Sequence, residues 1–147
     1  MTLSIRPVSP ADEPEWSALY AAYREFYREA DDPAKVKAAW RMLFDPATRL
    51  EGLVAVHDGR VVGLANWREL PDPLSASTGI FLDDLFVSPE ARGQGVGEQL
   101  LEALARVARD RGIDVVRWIT APDNATARRL YDRVAELAPW VTYDLRP

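Results

Sequence analysis

Arg92-Gly93-Gln94-Gly95-Val96-Gly97 separates a strand-like run from the clearest helical run of this 147-residue chain. Three glycines within five residues let backbone amides turn inward with no Cβ in the way. The start of a helix adds a partial positive charge at the same place. Together they form a backbone anion site suited to a pyrophosphate. Spacing excludes two nucleotide loops. No Lys-Ser or Lys-Thr follows the glycines, as G-x-x-x-x-G-K-[S/T] requires. Glu98 stands where the dinucleotide fingerprint G-x-G-x-x-G needs its third glycine.

Working outward, Gly97 to Arg111 carries Leu100, Leu101, Leu104, Val107 and Ala108 as one apolar stripe, and Gly112 supplies its stop. Upstream, Gly79 to Val87 reads as a strand closed by Ser88-Pro89, and Glu69 to Thr78, with Pro71 and Pro73, as a surface loop. Leu53–His57 and Arg60–Trp67 flank Asp58-Gly59, a hairpin signal. Leu3 to Val8 is a first strand. Ala11 to Ala30 is a helix with an apolar face of Trp16, Leu19, Tyr20, Tyr23, Phe26 and Tyr27, and Ala34 to Phe44 is a second helix. Downstream, Val115 to Thr120 is a strand, Asp123 or Asn124 an N-cap, Ala125 to Val134 the last helix, and Trp140 to Leu145 a closing strand. The expectation is one mixed α/β domain over residues 1–147.

Composition narrows the function. A formal net charge of −5 argues against a nucleic-acid binder, which needs a basic face. No apolar run approaches the roughly 20 residues that span a bilayer, and the first residues lack a signal peptide's apolar stretch. With no cysteine and one histidine, His57, thiolate nucleophiles are absent and a metal site has little basis. A soluble, cytoplasmic protein is expected.

The hexapeptide matches [Q/R]-x-x-G-x-[G/A], and with its flanks the chain resembles the GNAT superfamily of acyl-CoA N-acyltransferases. The resemblance runs upstream through Leu82-Asp83-Asp84-Leu85-Phe86-Val87-Ser88-Pro89-Glu90-Ala91 and downstream through Asn124, Ala127 and Leu130-Tyr131. It implies a central, mostly antiparallel, splayed sheet flanked by helices, with acetyl-CoA as co-substrate and no metal. Backbone groups at Leu85, Phe86 and Val87 would pair with the pantetheine arm. The amides from Arg92 through Gly93, Gln94, Gly95 and Val96 to Gly97 would hold the pyrophosphate, with Arg128 and Arg129 as possible helpers. Asn124 would contact the pantetheine, and Tyr131 would lie near the thioester sulfur. Seven residues separate those two, nearly two helical turns, so they share a face. A phenol, protonated at neutral pH, can donate to a departing thiolate. Val134-Ala135 stands where the family commonly has Gly-Phe.

An alkylamine acceptor is protonated at pH 7 and must lose a proton before it can attack. Asp83 and Asp84, on the strand entering the loop, are the candidate bases. Adjacent strand residues face opposite ways, so one alone is expected to face the cleft. The pattern Leu82-Asp83-Asp84-Leu85-Phe86-Val87 is similar to the polyamine, thialysine and histone-like branch, which places Asp83 near the amine, acting through water. Tyr20, Tyr23 and Tyr27 form a wall of the acceptor pocket in this reading. The expected reaction is direct acetyl transfer in a ternary complex to the primary amine of a small cationic molecule, by a homodimer. Two other readings are a non-catalytic acyl-CoA-binding sensor and a protein lysine or N-terminal acetyltransferase.

Overall fold

The structure is a computed structural model and describes residues 2–147. One sheet contains β1 (Leu3–Pro7), β2 (Glu51–His57), β3 (Arg60–Asp72), β4 (Ser77–Val87) and β5 (Val116–Arg117), arranged in chain order. Neighbours from β1 to β4 are antiparallel, and β5 joins β4 in parallel through Ile80↔Val116 and Phe81↔Arg117. The helices are α1 (Glu13–Phe26), α2 (Pro33–Met42), α3 (Val96–Asp110) and α4 (Ala125–Val134).

The sheet is covered on both faces, which is why its strands read as apolar runs. In one layer Leu100, Ala103 and Leu104 of α3 bury Leu53, Ala55, Ala65, Trp67, Ile80 and Leu82. In the other, Trp16 and Leu19 of α1 and Val36 and Trp40 of α2 bury Val54, Leu64 and Phe86. Alternate residues of β2 therefore serve opposite layers. The mixed α/β architecture and mostly antiparallel sheet agree with the sequence. Among the described residues no helix is long and apolar enough to cross a membrane.

Four expected boundaries are corrected. The first helix ends at Phe26 rather than Ala30, because Arg28 takes a left-handed φ of 59°. Glu29 N then donates to Arg24 O and Arg28 N to Glu25 O, closing the helix as a Schellman turn normally does with glycine. The expected loop Glu69–Thr78 is mostly a hairpin, paired as far as Asp72↔Ser77. Pairing of β3 with β2 stops at Trp67, so Pro71 lies where β3 has become an edge, a position that tolerates its missing N–H. The strand expected over 115–120 shortens to two residues. Trp140–Leu145 forms no strand: the chain leaves α4 extended at Ala135, and these residues pair with nothing in the sheet.

Candidate active site

The glycine loop behaves as its composition dictates. Gly93 and Gly95 have φ of 77° and 78°, and no atom lies within 4 Å of where a Cβ would stand on either. Left-handed residues in this pattern turn successive amides to one side. Gly95 is the N-cap of α3, so the amides of the first helical turn have no intrahelical partner. Gly97 differs from them: a Cβ there would make ordinary van der Waals contact with Leu130 Cδ2 at 3.4 Å and Val87 Cγ2 at 3.8 Å, where α4, α3 and β4 meet.

Beside the loop, β4 presents an open edge. Ser88 N donates to Val62 O, and the period-2 alternation turns the backbone groups of Phe86 toward β3 and those of Leu85 and Val87 away from it. Since β5 has only two residue pairs with β4, at Ile80 and Phe81, no strand covers that edge near Val87. The result is a splay. A groove of about 490 Å³ occupies it, lined by Leu85, Phe86, Val87, Arg92, Gly93, Gly95, Val96, Gly97, Asn124 and Tyr131. Gln94 does not line it. Phe26, Tyr27, Thr126, Arg129 and Arg133 do. Arg92 lies over the Phe26 and Phe86 rings, 5.6 and 5.2 Å from their centroids, with its Nε donating to Val87 O at 3.1 Å. Arg128 turns elsewhere, to Pro122 O at 2.8 Å.

From α4, Asn124 occupies the N-cap position but makes no side-chain cap bond; its amide donates to Thr120 Oγ1 at 3.2 Å. Tyr131 packs edge-on against Trp118, with centroids 5.3 Å apart. Burial, and secondarily Tyr27, pushes its pKa up to about 12, so the hydroxyl keeps its proton at any physiological pH.

The acidic strand overturns the expectation that Asp83 and Asp84 diverge. Asn66 pairs with Asp84 and Trp67 with Leu82, which leaves Asp83 as an extra, bulged residue. Leu82 and Leu85 both pack in the α3 layer, so the two residues between them project from the other face. Neither lines the groove; Tyr23, whose ring lies 5.6 Å from that of Phe86, donates its Oη to Asp83 O at 3.5 Å. Asp83 is clamped by Arg68 through two 2.8 Å bonds. Asp84 accepts from Asn66 Nδ2 at 3.0 Å and Tyr20 Oη at 3.3 Å. Desolvation raises its pKa above the ordinary carboxylate range, against the lowering effect of those bonds. Tyr20 and Tyr23 are raised as well, chiefly by burial and then by the Asp84 charge. Sequence reasoning missed Asn66 and Arg68; an asparagine within the apolar run Gly63–Trp67 was the available signal, and the structure buries it fully. Among the described residues no cluster of three or more metal-ligating side chains occurs.

A family model described as the acetyltransferase (GNAT) family matches residues 16–135. The D-amino-acid N-acetyltransferase of Saccharomyces cerevisiae is 28% identical over 95% of this chain and 88% of its own length. An uncharacterized N-acetyltransferase of Bacillus subtilis is 31% identical over 89% of this chain and 87% of its own. The crystal structure of a ribosomal-protein-alanine N-acetyltransferase from Brucella melitensis superposes with a TM-score of 0.85 and 25% identity, covering 99% of both chains.

Proposed function

Because the chain belongs to the GNAT family and is an acetyl-CoA-dependent N-acetyltransferase, we propose that it acetylates the primary amine of a small cationic molecule such as a polyamine or amino acid. One observation carries the site assignment. The left-handed glycine loop, the open edge of β4 and the Tyr131 ring all border a single groove. That combination fits acetyl-CoA: amides for a pyrophosphate, free strand groups for the amides of an extended arm, and a phenol beside them. The bound co-substrate supplies an activated acetyl thioester.

The protein's own residues do the rest. The amides from Gly93 to Gly97 bind the diphosphate, and Leu85 and Val87 align the arm through their outward backbone groups. Asn124, whose side chain is not used as a cap, adds a contact along the arm. Tyr131 holds its proton and delivers it to the departing sulfur. Asp84, which does not line the groove, takes the proton of the acceptor ammonium by relay through Tyr20, whose hydroxyl donates to it. Its raised proton affinity suits that role, whereas the carboxylate of Asp83 is already occupied by Arg68. Asp83 then serves to position Arg68. The net change is a new N–C bond, a broken C–S bond and one proton moved from amine to thiolate.

The D-amino-acid specificity named for the yeast relative supports a small amine acceptor. We also read the enzyme as a cytoplasmic homodimer, related in its β4 motif to the polyamine and thialysine branch. The test is acceptor-dependent thiol release from acetyl-CoA over polyamines, amino acids of both hands, aminoglycosides and lysine peptides. A small amine should be acetylated with kcat/KM at least tenfold above any peptide. Preference for a peptide would move the acceptor to proteins.

A further inference from the structure

Two adjacent cross-strand rows on the α1–α2 face of the sheet differ in kind. Val54, Leu64 and Phe86 lie opposite one another on β2, β3 and β4 and are buried as an apolar row. Two residues along each strand, Gly52, Asn66 and Asp84 make the next row. A glycine, an amide and a carboxylate stand there in place of core side chains. Asn66 is nonetheless 1% exposed, as deep as the core around it.

Its amide is oriented by its partner. An ionised carboxylate only accepts, so Nδ2 faces Asp84 and donates to Oδ2 at 3.0 Å. Oδ1 then points at Gly52, 3.1 Å from where a Cβ would stand, a spot also bordered by Leu43 Cδ2 at 3.0 Å and Val8 Cγ1 at 3.2 Å. That oxygen is buried with no hydrogen-bond partner among the described residues. An unmade bond of this kind costs stability, and a leucine of similar size would avoid it. Core packing therefore does not account for the asparagine. The bond to Asp84 does.

That bond shares its acceptor atom with a second donor. Asp84 Oδ2 accepts from Asn66 Nδ2 and, at 3.3 Å, from Tyr20 Oη. Tyr20 is in turn stacked on the fully buried Trp16, with centroids 4.6 Å apart. The other ionisable groups around Asp84 are Tyr23 of α1, Arg68 of β3 and Asp83 of β4, and the last two hold each other. We propose that Asn66 is a positioning residue for the acceptor half of the reaction: its amide pins Asp84 Oδ2 against the Tyr20 hydroxyl. As the Tyr20 oxygen takes the ammonium proton, its own proton passes to Oδ2, so one proton enters the tyrosine and one leaves it. Asn66 touches neither acceptor nor co-substrate. By donating to the ionised carboxylate it also opposes the desolvation of Asp84 and keeps a base available near neutral pH.

The inference rests on the role of Asp84 proposed above, and its test reads Asn66 both with and without catalysis. Asn66→Leu and the smaller Asn66→Val remove the donor and leave an apolar side chain, with far-UV spectra to show that each is folded. The Asp84 carboxyl is titrated by carbon-13 NMR in parent and variants, its signal identified by its loss in Asp84→Asn. Acetyl-CoA titration and pH profiles of thiol release run alongside. Loss of the donor disfavours the ionised form, so the Asp84 midpoint and the acid limb of kcat/KM should both move up by about one pH unit. At pH 7 kcat should fall at least tenfold, with acetyl-CoA affinity within about twofold of the parent's. A midpoint and limb that stay put in a folded variant overturn the proposal. So does an acetyl-CoA affinity that falls as far as kcat, the mark of a general loosening. If Asp84→Asn turns over like the parent, the base assignment fails; if the parent releases no thiol with any amine, the transfer reading fails. In either case the carboxyl titration alone decides whether Asn66 holds Asp84.

Discussion

In the proposed mechanism Tyr131 and Asp84 divide the proton traffic, and their surroundings shift them in ways that suit opposite duties. Burial keeps the phenol of Tyr131 protonated, with a pKa of about 12, so it is a donor throughout the working range. Tyr131→Phe retains the contact with Trp118 and deletes the donor. Turnover in the thiol-release assay should fall about 10²-fold with little change in acetyl-CoA affinity. The parent's alkaline limb should show no loss attributable to Tyr131 below pH 10. For Asp84, burial favours the protonated carboxyl, so its proton is bound more tightly in the folded chain than in the unfolded one. The stability it contributes is complete below the unfolded pKa of about 3.9 and is lost as pH rises through the higher folded value. Asn cannot lose a proton. The melting temperature of Asp84→Asn, relative to the parent, should therefore climb between pH 4 and pH 7 in calorimetry, and a constant difference would contradict the assigned shift. In kinetics Asp84→Asn should lower kcat/KM at pH 7 by about 10²-fold, with partial recovery at high pH, and Asp83→Asn should have the smaller effect. Both aspartates were legible as candidates in the sequence. Their relative roles were not, because they depend on Arg68 and Asn66, which reach them only through the pairing of β3 with β4.

At the scale of elements, α3 was the most legible part of the chain. Its apolar stripe fixes the buried face, and Gly112, at φ 69°, ends it as expected: Ile113 N donates to Ala108 O and Gly112 N to Arg109 O. Since a Cβ at Gly112 would meet nothing within 4 Å, Gly112→Ala isolates the conformational cost. It should destabilise the fold by about 1–2 kcal/mol in denaturant titration and leave acetyl-CoA binding unchanged. The β4 bulge was illegible, because one extra residue in a strand has meaning only against a partner's count. Pro71 and Pro73 hid the length of the hairpin for a related reason. Proline marks a loop in isolation, but where β3 runs beyond β2 an edge accepts it. The closing strand was misplaced because alternation in Val141–Leu145 marks a strand-like period without specifying a neighbour to pair with.

Over the whole molecule, two apolar layers hold a splayed sheet, and the opening of the splay is where the glycine loop, β4 and α4 meet. Leu100, fully buried beneath the loop's helix, ties that opening to the core; Leu100→Ala should cost about 2–5 kcal/mol in denaturant titration. The groove itself is the central claim. Gly95, at φ 78° and open to solvent on its Cβ side, tests it cleanly. A β-branched residue there strains the left-handed backbone and covers the amides that would face the diphosphate. Calorimetric titration of acetyl-CoA into the parent and into folded Gly95→Val should show one site per chain in the parent and an affinity at least tenfold weaker in the variant. Equal affinities in two folded proteins would mean that the loop does not hold the co-substrate.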